Sequence, residues 1–229
     1  MTTRPATPRR GDLRPRATRV PAEERRAEIL VAAHEIFGTR GFHKASLGEI
    51  ADRVGLTHQG ILHHFGSKEQ LLVAVLAYRE RLDVEDFEDQ QPPRGQALLQ
   101  HLVHTATLNT GRAGLVQSYA VLSAESVTEG HPAQGSFRER FSILRGLIAD
   151  ALAETLAETG AASSRPAQTE IDRAASCIVA VMDGLQVQWL LQPDAIDMPE
   201  SVSVMIEAFL ARWQAVPDGD RHGLDVSVR

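Results

Sequence analysis

The stretch GFHKASLGEIADRVGLTHQGILHHFGSKEQLL, from Gly41 to Leu72, alternates short apolar runs with glycines and helix-capping residues. Ser46 followed by Glu49 fits a capping box, in which the hydroxyl accepts a backbone N–H of the first helical turn and the carboxylate accepts the N–H of the cap residue. Gly55 ends that helix, and Thr57 caps the next one. The pattern predicts two short helices joined by a tight turn, the sequence shape of a helix-turn-helix.

The flanking segments extend this pattern in both directions. Before the stretch, apolar residues recur at the spacing of one buried helix face, and the helix should stop near Gly41. These residues are Ile29, Ala32, Ala33, Ile36 and Phe37. After it, Gly66 closes the third helix, and a second capping box of Ser67 and Gln70 predicts the start of a long fourth helix.

The rest of the chain also has helical periodicity and no alternating strand pattern, so the predicted fold class is all-α. Helices are predicted at 96–110, 115–127, 136–158, 169–191 and 200–215, separated by segments with glycine or proline. The predicted organisation is a disordered basic arm (1–22), a helix-turn-helix domain (23–67), a larger helical domain (68–217) and a flexible tail (218–229).

Composition narrows the class of protein. With a single cysteine, Cys177, the chain can make no internal disulfide, which fits a reducing compartment. We find no apolar run near the roughly 18–20 residues that span a bilayer, and the N-terminus lacks the apolar core of a secretory signal. We therefore expect a soluble cytoplasmic protein without a membrane partner.

Charge is distributed unevenly along the chain. Residues 1–81 carry 14 Lys and Arg against 9 Asp and Glu, whereas residues 82–229 carry 10 against 21. A basic first part beside an acidic remainder indicates a polyanion partner for the first part. A solvated arginine-rich tail with no partner would give the same charge count.

His58, His63 and His64 form a cluster in the third predicted helix that could indicate a metal site, a catalytic base or a polar contact face. On a helix, His63 lies about 140° and His64 about 240° from His58, so the three rings cannot converge on one ion. No nucleophile motif or glycine-rich phosphate loop accompanies them. We expect no metal, cofactor or catalytic residue here.

A DNA-contacting face is the remaining functional interpretation of this helix. Its polar side carries His58, Gln59, His63 and His64, and glutamine can pair with adenine edges in the major groove. Lys44, just before the second helix, and Lys68, after the third, suit phosphates. An ordinary solvated helix face is the alternative.

The whole stretch resembles the N-terminal domain of the TetR family of bacterial transcriptional regulators, over about 50 residues. The ending HFxSKExL, here His64 to Leu71, distinguishes this family from other helix-turn-helix proteins. The other matching residues are Gly41, Phe42, Ser46, Ile50, Ala51, Val54, Gly55 and Thr57.

The resemblance implies a role for each matching position. In the family the third helix enters the major groove of double-stranded DNA, and the second helix and the start of the fourth hold the phosphate backbone. His58, Gln59 and Gly60 then correspond to base-reading positions, and His63 and His64 to base or backbone contacts. Ser46, Thr57 and Lys68 correspond to phosphate contacts.

Two positions depart from the family's pattern. Leu62 stands where most members have a phosphate-contacting tyrosine, and Gly48 offers no side chain at a position that sometimes reads a base. Backbone affinity is therefore expected to depend more on the arginine-rich arm.

The last two predicted helices carry wide apolar stripes, including Ile178, Leu185, Val202 and Phe209. By resemblance they pair with their copies in a homodimer as a four-helix bundle, with Gly184 allowing close approach. The alternative is that they only cover this chain's own core.

The middle helices are where a family member would hold a small-molecule effector. His101 and His104 share one side of a helix, and aromatic residues could complete a pocket with them. The candidate effector residues are His101, His104, Tyr119, Phe137, Phe141 and Trp189. A satisfied core histidine is the alternative, and the pair has zinc-compatible spacing but no evident third ligand.

The resemblance as a whole implies a repressor that binds a near-palindromic operator as a homodimer and is released by a small molecule. Activation by the ligand is the minority mode in the family. A small helical enzyme using His101, His104 or His131 as a base, with Tyr119 or a nearby acid, is a competing interpretation. A helical scaffold that docks another protein is the other.

Overall fold

The computed structural model describes residues 21–84, 93–158 and 166–214, and within them it contains nine α-helices and no strand. The all-α prediction is confirmed, and the helices predicted beyond residue 95 agree with α5 to α9 within two residues at each end. Most of the predicted arm and the whole predicted tail lie outside these residues, and the domain boundaries stay predictions. The helices are α1 (Ala22–Lys44), α2 (Leu47–Arg53), α3 (His58–Phe65), α4 (Lys68–Val84), α5 (Gly95–Thr110), α6 (Ala113–Ser126), α7 (Gln134–Glu158), α8 (Gln168–Leu191) and α9 (Met198–Gln214).

Helices α1, α2 and α3 and the first turns of α4 form one unit, here called the head. Its short helices begin where the sequence predicts. The Glu49 N–H donates to Ser46 Oγ (3.1 Å), and the Ser46 N–H donates to the Glu49 carboxylate (3.2 Å). The apolar side chains of all four helices meet in one core. Its fully buried members include Ile29, Phe37, Ile50, Ile61, Leu71 and Leu72.

One predicted cap is only half formed. The Gln70 N–H donates to Ser67 Oγ (3.1 Å), as a capping box requires. The Ser67 N–H, however, donates to the Phe65 carbonyl (2.9 Å). Because the tight turn at Gly66 presents that carbonyl, the reciprocal bond from the Gln70 side chain is not needed.

Helices α5, α7, α8 and α9 pack around a second core and form, with α6, the unit here called the body. The prediction that no segment is apolar enough to span a membrane needs correction, because α8 meets that criterion by length and composition, with a mean hydropathy of 1.4. In this fold Ile171, Ala175 and Ile178 of α8 are buried against its neighbours. A core helix with this packing has the same apolar composition as a membrane span.

Head and body meet chiefly where α1 packs against α6. The backbones approach closely at Gly38, where an added Cβ would lie 2.8 Å from Ser118 Cβ. Only glycine fits there unless one of the helices moves.

The end of α1 forms a second contact with the body. Gly41 has φ 70° and ψ 171°, so the regular helix breaks there as predicted, before a last turn to Lys44. The break points the Phe42 N–H at the Glu125 carboxylate at the end of α6, 2.7 Å away. His131 is buried beside them, 3.7 Å from Glu125, with its ring 5.3 Å from that of Phe42. We call Gly41, Phe42, Glu125 and His131 the joint.

Replacing Gly41 with alanine should destabilise the protein by about 2 kcal/mol or more. The backbone conformation at Gly41 is one that essentially only glycine adopts, and an added Cβ would overlap the Glu125 carboxylate. Urea denaturation followed by circular dichroism measures the change. Gly146→Ala is the matched control, because its Cβ would meet nothing within 4 Å inside α7, and it should stabilise by about 0.5–1 kcal/mol. Equal effects of the two substitutions on the free energy of unfolding would show that the backbone at Gly41 does not require glycine.

Candidate functional site

Helix α3 presents its polar side chains outward, as predicted. Ile61 and Phe65 are buried in the head, whereas His58, Gln59 and His63 are exposed. Gly60 is half-buried on the side of Leu56 and Thr57. The exposed side therefore carries one amide and two imidazoles, groups that both donate and accept hydrogen bonds, as the edges of base pairs do.

The two predicted phosphate-binding hydroxyls both serve as helix caps. The Gly60 N–H donates to Thr57 Oγ1 (3.1 Å), which leaves the hydroxyl hydrogen of Thr57 available for a phosphate oxygen. The Ser46 hydroxyl instead lies 3.4 Å from the Glu49 carboxylate. Lys44 is exposed just before α2. Ser46 and Thr57 therefore stand at the N-termini of α2 and α3, and Lys44 stands two residues before Ser46.

The side chain of Lys68 packs against the head, whereas a phosphate-binding lysine was expected to extend into solvent. Its ammonium group is 3.4 Å from the His43 carbonyl and 4.5 Å from the centre of the Phe42 ring. Partial burial lowers the pKa of Lys68 below its usual value. From the first turn of α4, the lysine therefore packs against Phe42 of the joint. A phosphate bound by Lys68 would interact with an ammonium group that already contacts this ring.

Arg26 is a residue of this site that the sequence analysis missed. Its guanidinium donates to the His64 carbonyl at the end of α3 (2.8 Å) and lies 4.1 Å from the centre of the Phe65 ring. Burial, and the positive charges of His63, Arg26 and Arg25, lower the pKa of His64. A neutral His64 at pH 7 contributes hydrogen bonding rather than charge. The contact between Arg26 and His64 joins residues far apart in the sequence, so no local sequence pattern predicts it.

The body contains a largely apolar cavity of about 260 Å³ between α5, α7 and α8. Leu98, Leu102, Leu144 and Met182 supply apolar walls, and His101, Thr105, Arg140 and Glu80 are the polar lining residues. His101 Nε2 lies 3.4 Å from the Thr105 hydroxyl. Such a cavity, apolar with a few polar anchors, is typical of small-molecule sites.

The structure distributes the six candidate effector residues over different places. His101 lines the cavity, and Tyr119 and Phe137 line a small neighbouring cavity that shares Arg140 and Glu80 with it. Phe141 packs against both cores, with its ring 6.2 Å from that of Phe137. His104 is exposed, and Trp189 is buried in the body core without lining the cavity. Their role in ligand binding stays a prediction.

A charged cluster beside the cavity was not predicted. Arg79 of α4 is 4% exposed, and its guanidinium lies 3.9 Å from the centre of the Tyr119 ring. Arg140 of α7 lies 5.3 Å from the same ring and 3.6 Å from the Glu80 carboxylate. Asp183 of α8 is close enough to both arginines to interact with them electrostatically. The sequence signal was available, because Arg140 falls on the helix face of Phe137, Phe141 and Leu144.

No group of three or more metal-ligating side chains occurs among the residues that the structure describes. His131, a candidate base, is buried in the joint and accepts a hydrogen bond from the Ala133 N–H at Nδ1 (3.2 Å). This hydrogen bond stabilises the loop between α6 and α7.

A helix-turn-helix head with an exposed polar α3, joined to a larger helical body, is the arrangement of a DNA-binding regulator. Two protein families match the two units. The family described as bacterial regulatory proteins, tetR family, matches residues 29–75. The C-terminal family of BetI-type transcriptional repressors matches residues 126–215.

Known relatives agree with these matches. The HTH-type transcriptional regulator TtgR of Pseudomonas putida is 28% identical over 211 residues, covering 88% of this chain and 97% of that protein. The transcriptional activator FasR of Mycolicibacterium smegmatis is 47% identical over 73 residues, which are 30% of this chain and 33% of FasR. A transcriptional regulator from Pseudomonas aeruginosa PAO1 has the same fold, with a TM-score of 0.66 at 20% identity over 89% of this chain and 97% of that one.

The chain belongs to the TetR family of bacterial transcriptional regulators. The predicted resemblance is confirmed, and the comparisons give no support to the enzyme alternative.

His34, buried in α1 near Arg79, should make the stability of the protein depend on pH. Burial, and next the charge of Arg79, lower the pKa of His34 to about 4 from 6.5. The unfolded state therefore binds the proton more readily, and stability is lost as the pH falls from 6.5 towards 4. The loss amounts to about 3 kcal/mol for this group.

Urea denaturation of the parent and of His34→Leu at pH 7, 5.5 and 4.5 measures this contribution. The variant should lose less stability than the parent between pH 7 and 4.5, by about 2 kcal/mol. His58→Leu on the exposed side of α3 is the control and should retain the parent's pH dependence. A His34 variant with the parent's pH dependence would show that other groups cause it.

Proposed function

We propose that this regulator is a repressor that binds a near-palindromic operator as a homodimer and leaves it when a small molecule occupies the body cavity. The observation that carries the proposal is the exposed polar face of α3, with His58, Gln59 and His63 clear of the head's own core. In such a dimer the two copies of α3 would lie about 34–36 Å apart, one turn of DNA, and enter successive major grooves. We place this activity in the cytoplasm, where the DNA is.

The exposed apolar side of α8 and α9 supports the homodimer. Val187 and Leu191 of α8 are 47% and 77% exposed, and Val204 of α9 is 53% exposed. Gly184 has nothing within 4 Å of an added Cβ, so its surface is open to a close approach by another helix. Pairing with the same surface of a second chain would cover these side chains in a four-helix bundle.

Release by a ligand would act through α4, which begins in the head and ends beside the cavity. Glu80 and Arg79 of α4 both interact with body residues, Glu80 with Arg140 and Arg79 with Tyr119. Two positions of α4 would correspond to two spacings of the two heads. A ligand that binds one of them more tightly shifts the population towards it, by an amount set by the difference in affinity.

Ligand-dependent activation is the second candidate. It is favoured by the identity with FasR, a named activator, which extends over 73 residues, 30% of this chain. The head alone does not distinguish activation from repression, because activators and repressors both contact DNA bases with the recognition helix.

Replacing Gln59 and His63 together with alanine should weaken binding to the operator by about tenfold or more, because each base contact contributes about 1–3 kcal/mol to discrimination. Fluorescence anisotropy with DNA from upstream of the protein's own gene, with excess nonspecific competitor and at two salt concentrations, measures the change. The remaining salt dependence should resemble the parent's, since phosphate contacts are kept.

Gln100→Ala with His104→Ala is the matched control, because these two exposed residues have the same spacing on α5. That pair should leave operator affinity unchanged. If the Gln59, His63 variant bound the operator as tightly as the parent, α3 would not be the element that reads it.

Replacing Val187 and Leu191 together with glutamate should convert the dimer to a monomer at micromolar concentration. Unpaired carboxylates at the centre of an apolar interface lose hydration without gaining a partner. Light scattering after size-exclusion chromatography measures the mass. Val127→Glu is the control, because Val127 is 81% exposed after the end of α6 and away from α8 and α9. A double variant that remained dimeric would move the interface elsewhere.

A further inference from the structure

Arg140 occupies the boundary between the apolar cavity and the charged cluster. It lines both the cavity of about 260 Å³ and the small cavity against Tyr119. Its side chain is only 21% exposed, and its contact with Glu80 is long for an ion pair, at 3.6 Å. A ligand group at the inner end of the cavity would therefore meet this guanidinium first.

The two arginines of the cluster cannot adapt to a positive ligand. A guanidinium stays protonated at any pH that a protein encounters. Arg79 is 4% exposed and lies against the Tyr119 ring, so it has no path into water. A cation in the cavity would remain close to two fixed positive charges.

The two acidic residues, by contrast, can adapt to a negative ligand. The Glu80 side chain is 48% exposed and can turn into solvent at little cost. Burial raises the pKa of Asp183, which brings its carboxyl closer to taking up a proton. Movement of Glu80 into solvent therefore presents the charge of Arg140 to an anion, whereas neither guanidinium can lose its charge to accommodate a cation.

We propose that the effector of this regulator carries an acidic group, which binds Arg140 in place of Glu80, on a slender apolar body that fills the cavity. This inference rests on the proposed effector function of that cavity. The cavity volume, slightly below the usual range of about 300–1,000 Å³ for ligand sites, fits only a small molecule with one unbranched chain. His101 and Thr105 offer further hydrogen bonds along its path.

The same exchange explains how the ligand would reach the head. The Glu80 and Arg140 pair joins α4 to α7. A ligand carboxylate that takes Arg140 from Glu80 removes this link, and α4 loses one of its attachments to the body. An apolar ligand that fills the cavity without taking Arg140 would leave the link in place.

The test compares three probes of the same chain length, octanoate, octan-1-ol and octylammonium, by isothermal titration calorimetry with the full chain at pH 7. Octanoate should bind saturably and about tenfold to a hundredfold more tightly than octanol, because a charge-assisted contact is added to the same apolar burial. Octylammonium should bind most weakly. Equal or tighter binding of octylammonium, or absence of binding by octanoate, overturns the proposal.

Variants then locate the acidic group. Arg140→Gln should reduce octanoate affinity to that of octanol, and Arg140→Lys should recover part of the difference. Arg138→Gln, an exposed arginine on the same helix, is the matched control and should leave all three affinities unchanged. Octanoate binding that is unaffected by Arg140→Gln overturns the proposal even if the parent prefers the carboxylate.

These titrations contain no DNA, so they are independent of the proposed repressor function. Octanoate binding through Arg140 without any operator binding would contradict the regulator mechanism and keep the ligand class. Operator binding together with a preference for octylammonium would keep the regulator and reject the acidic effector.

Discussion

The packing of α1 against α6 is the contact on which the rest of the arrangement depends. α1 supplies Ile29 and Phe37 to the core of the head, and its other side meets the body at Gly38 and Ser118. Because α1 packs against both units, it connects the body directly to the core of the head. The break at Gly41 adds a directed bond, from the Phe42 N–H to Glu125, so that the head is fixed in orientation as well as in position.

A second link between head and body runs through α4 and differs from the first in its chemistry. Apolar and backbone contacts dominate at α1 and α6, whereas α4 meets the body through Arg79, Glu80, Tyr119 and Arg140. Charged contacts of this kind depend on which ions are nearby, because a competing ligand can replace one partner. The head is therefore joined to the body by one apolar link, at α1 and α6, and by one charged link, at α4.

The burial of charge at this second link also affects stability. Arg79 is held at 4% exposure against an aromatic ring, and the same charge helps keep His34 neutral in α1. The head, the body and the cavity therefore share one electrostatic environment. A substitution at Arg79 would alter the pKa of His34 as well as the small cavity against Tyr119, and its effects could not be assigned to one unit.

The sequence by itself determined the head and the helical content of the body. Caps such as Ser46 with Glu49, and Thr57 before α3, act within one helical turn, so their partners are adjacent in the sequence. The apolar spacing of Ile29 and Phe37 likewise reports one face of one helix. The polar face of α3 followed from the same periodicity, and His58, Gln59 and His63 are exposed as predicted.

Only the tertiary structure decided which predicted effector residues come together. His101 reached the cavity, whereas His104, one turn further along the same helix, is exposed and Trp189 lies in the body core. Arg26 on the His64 carbonyl, Glu125 on the Phe42 N–H and Arg140 beside Glu80 all join residues from different helices. Periodicity fixes the direction of a side chain around its own helix, but the crossing of two helices is set by packing over their whole length. For that reason the exposed polar face of α3 could be predicted from the sequence. The sequence also placed Arg140 on the helix face of Phe137, but not its contact with Glu80.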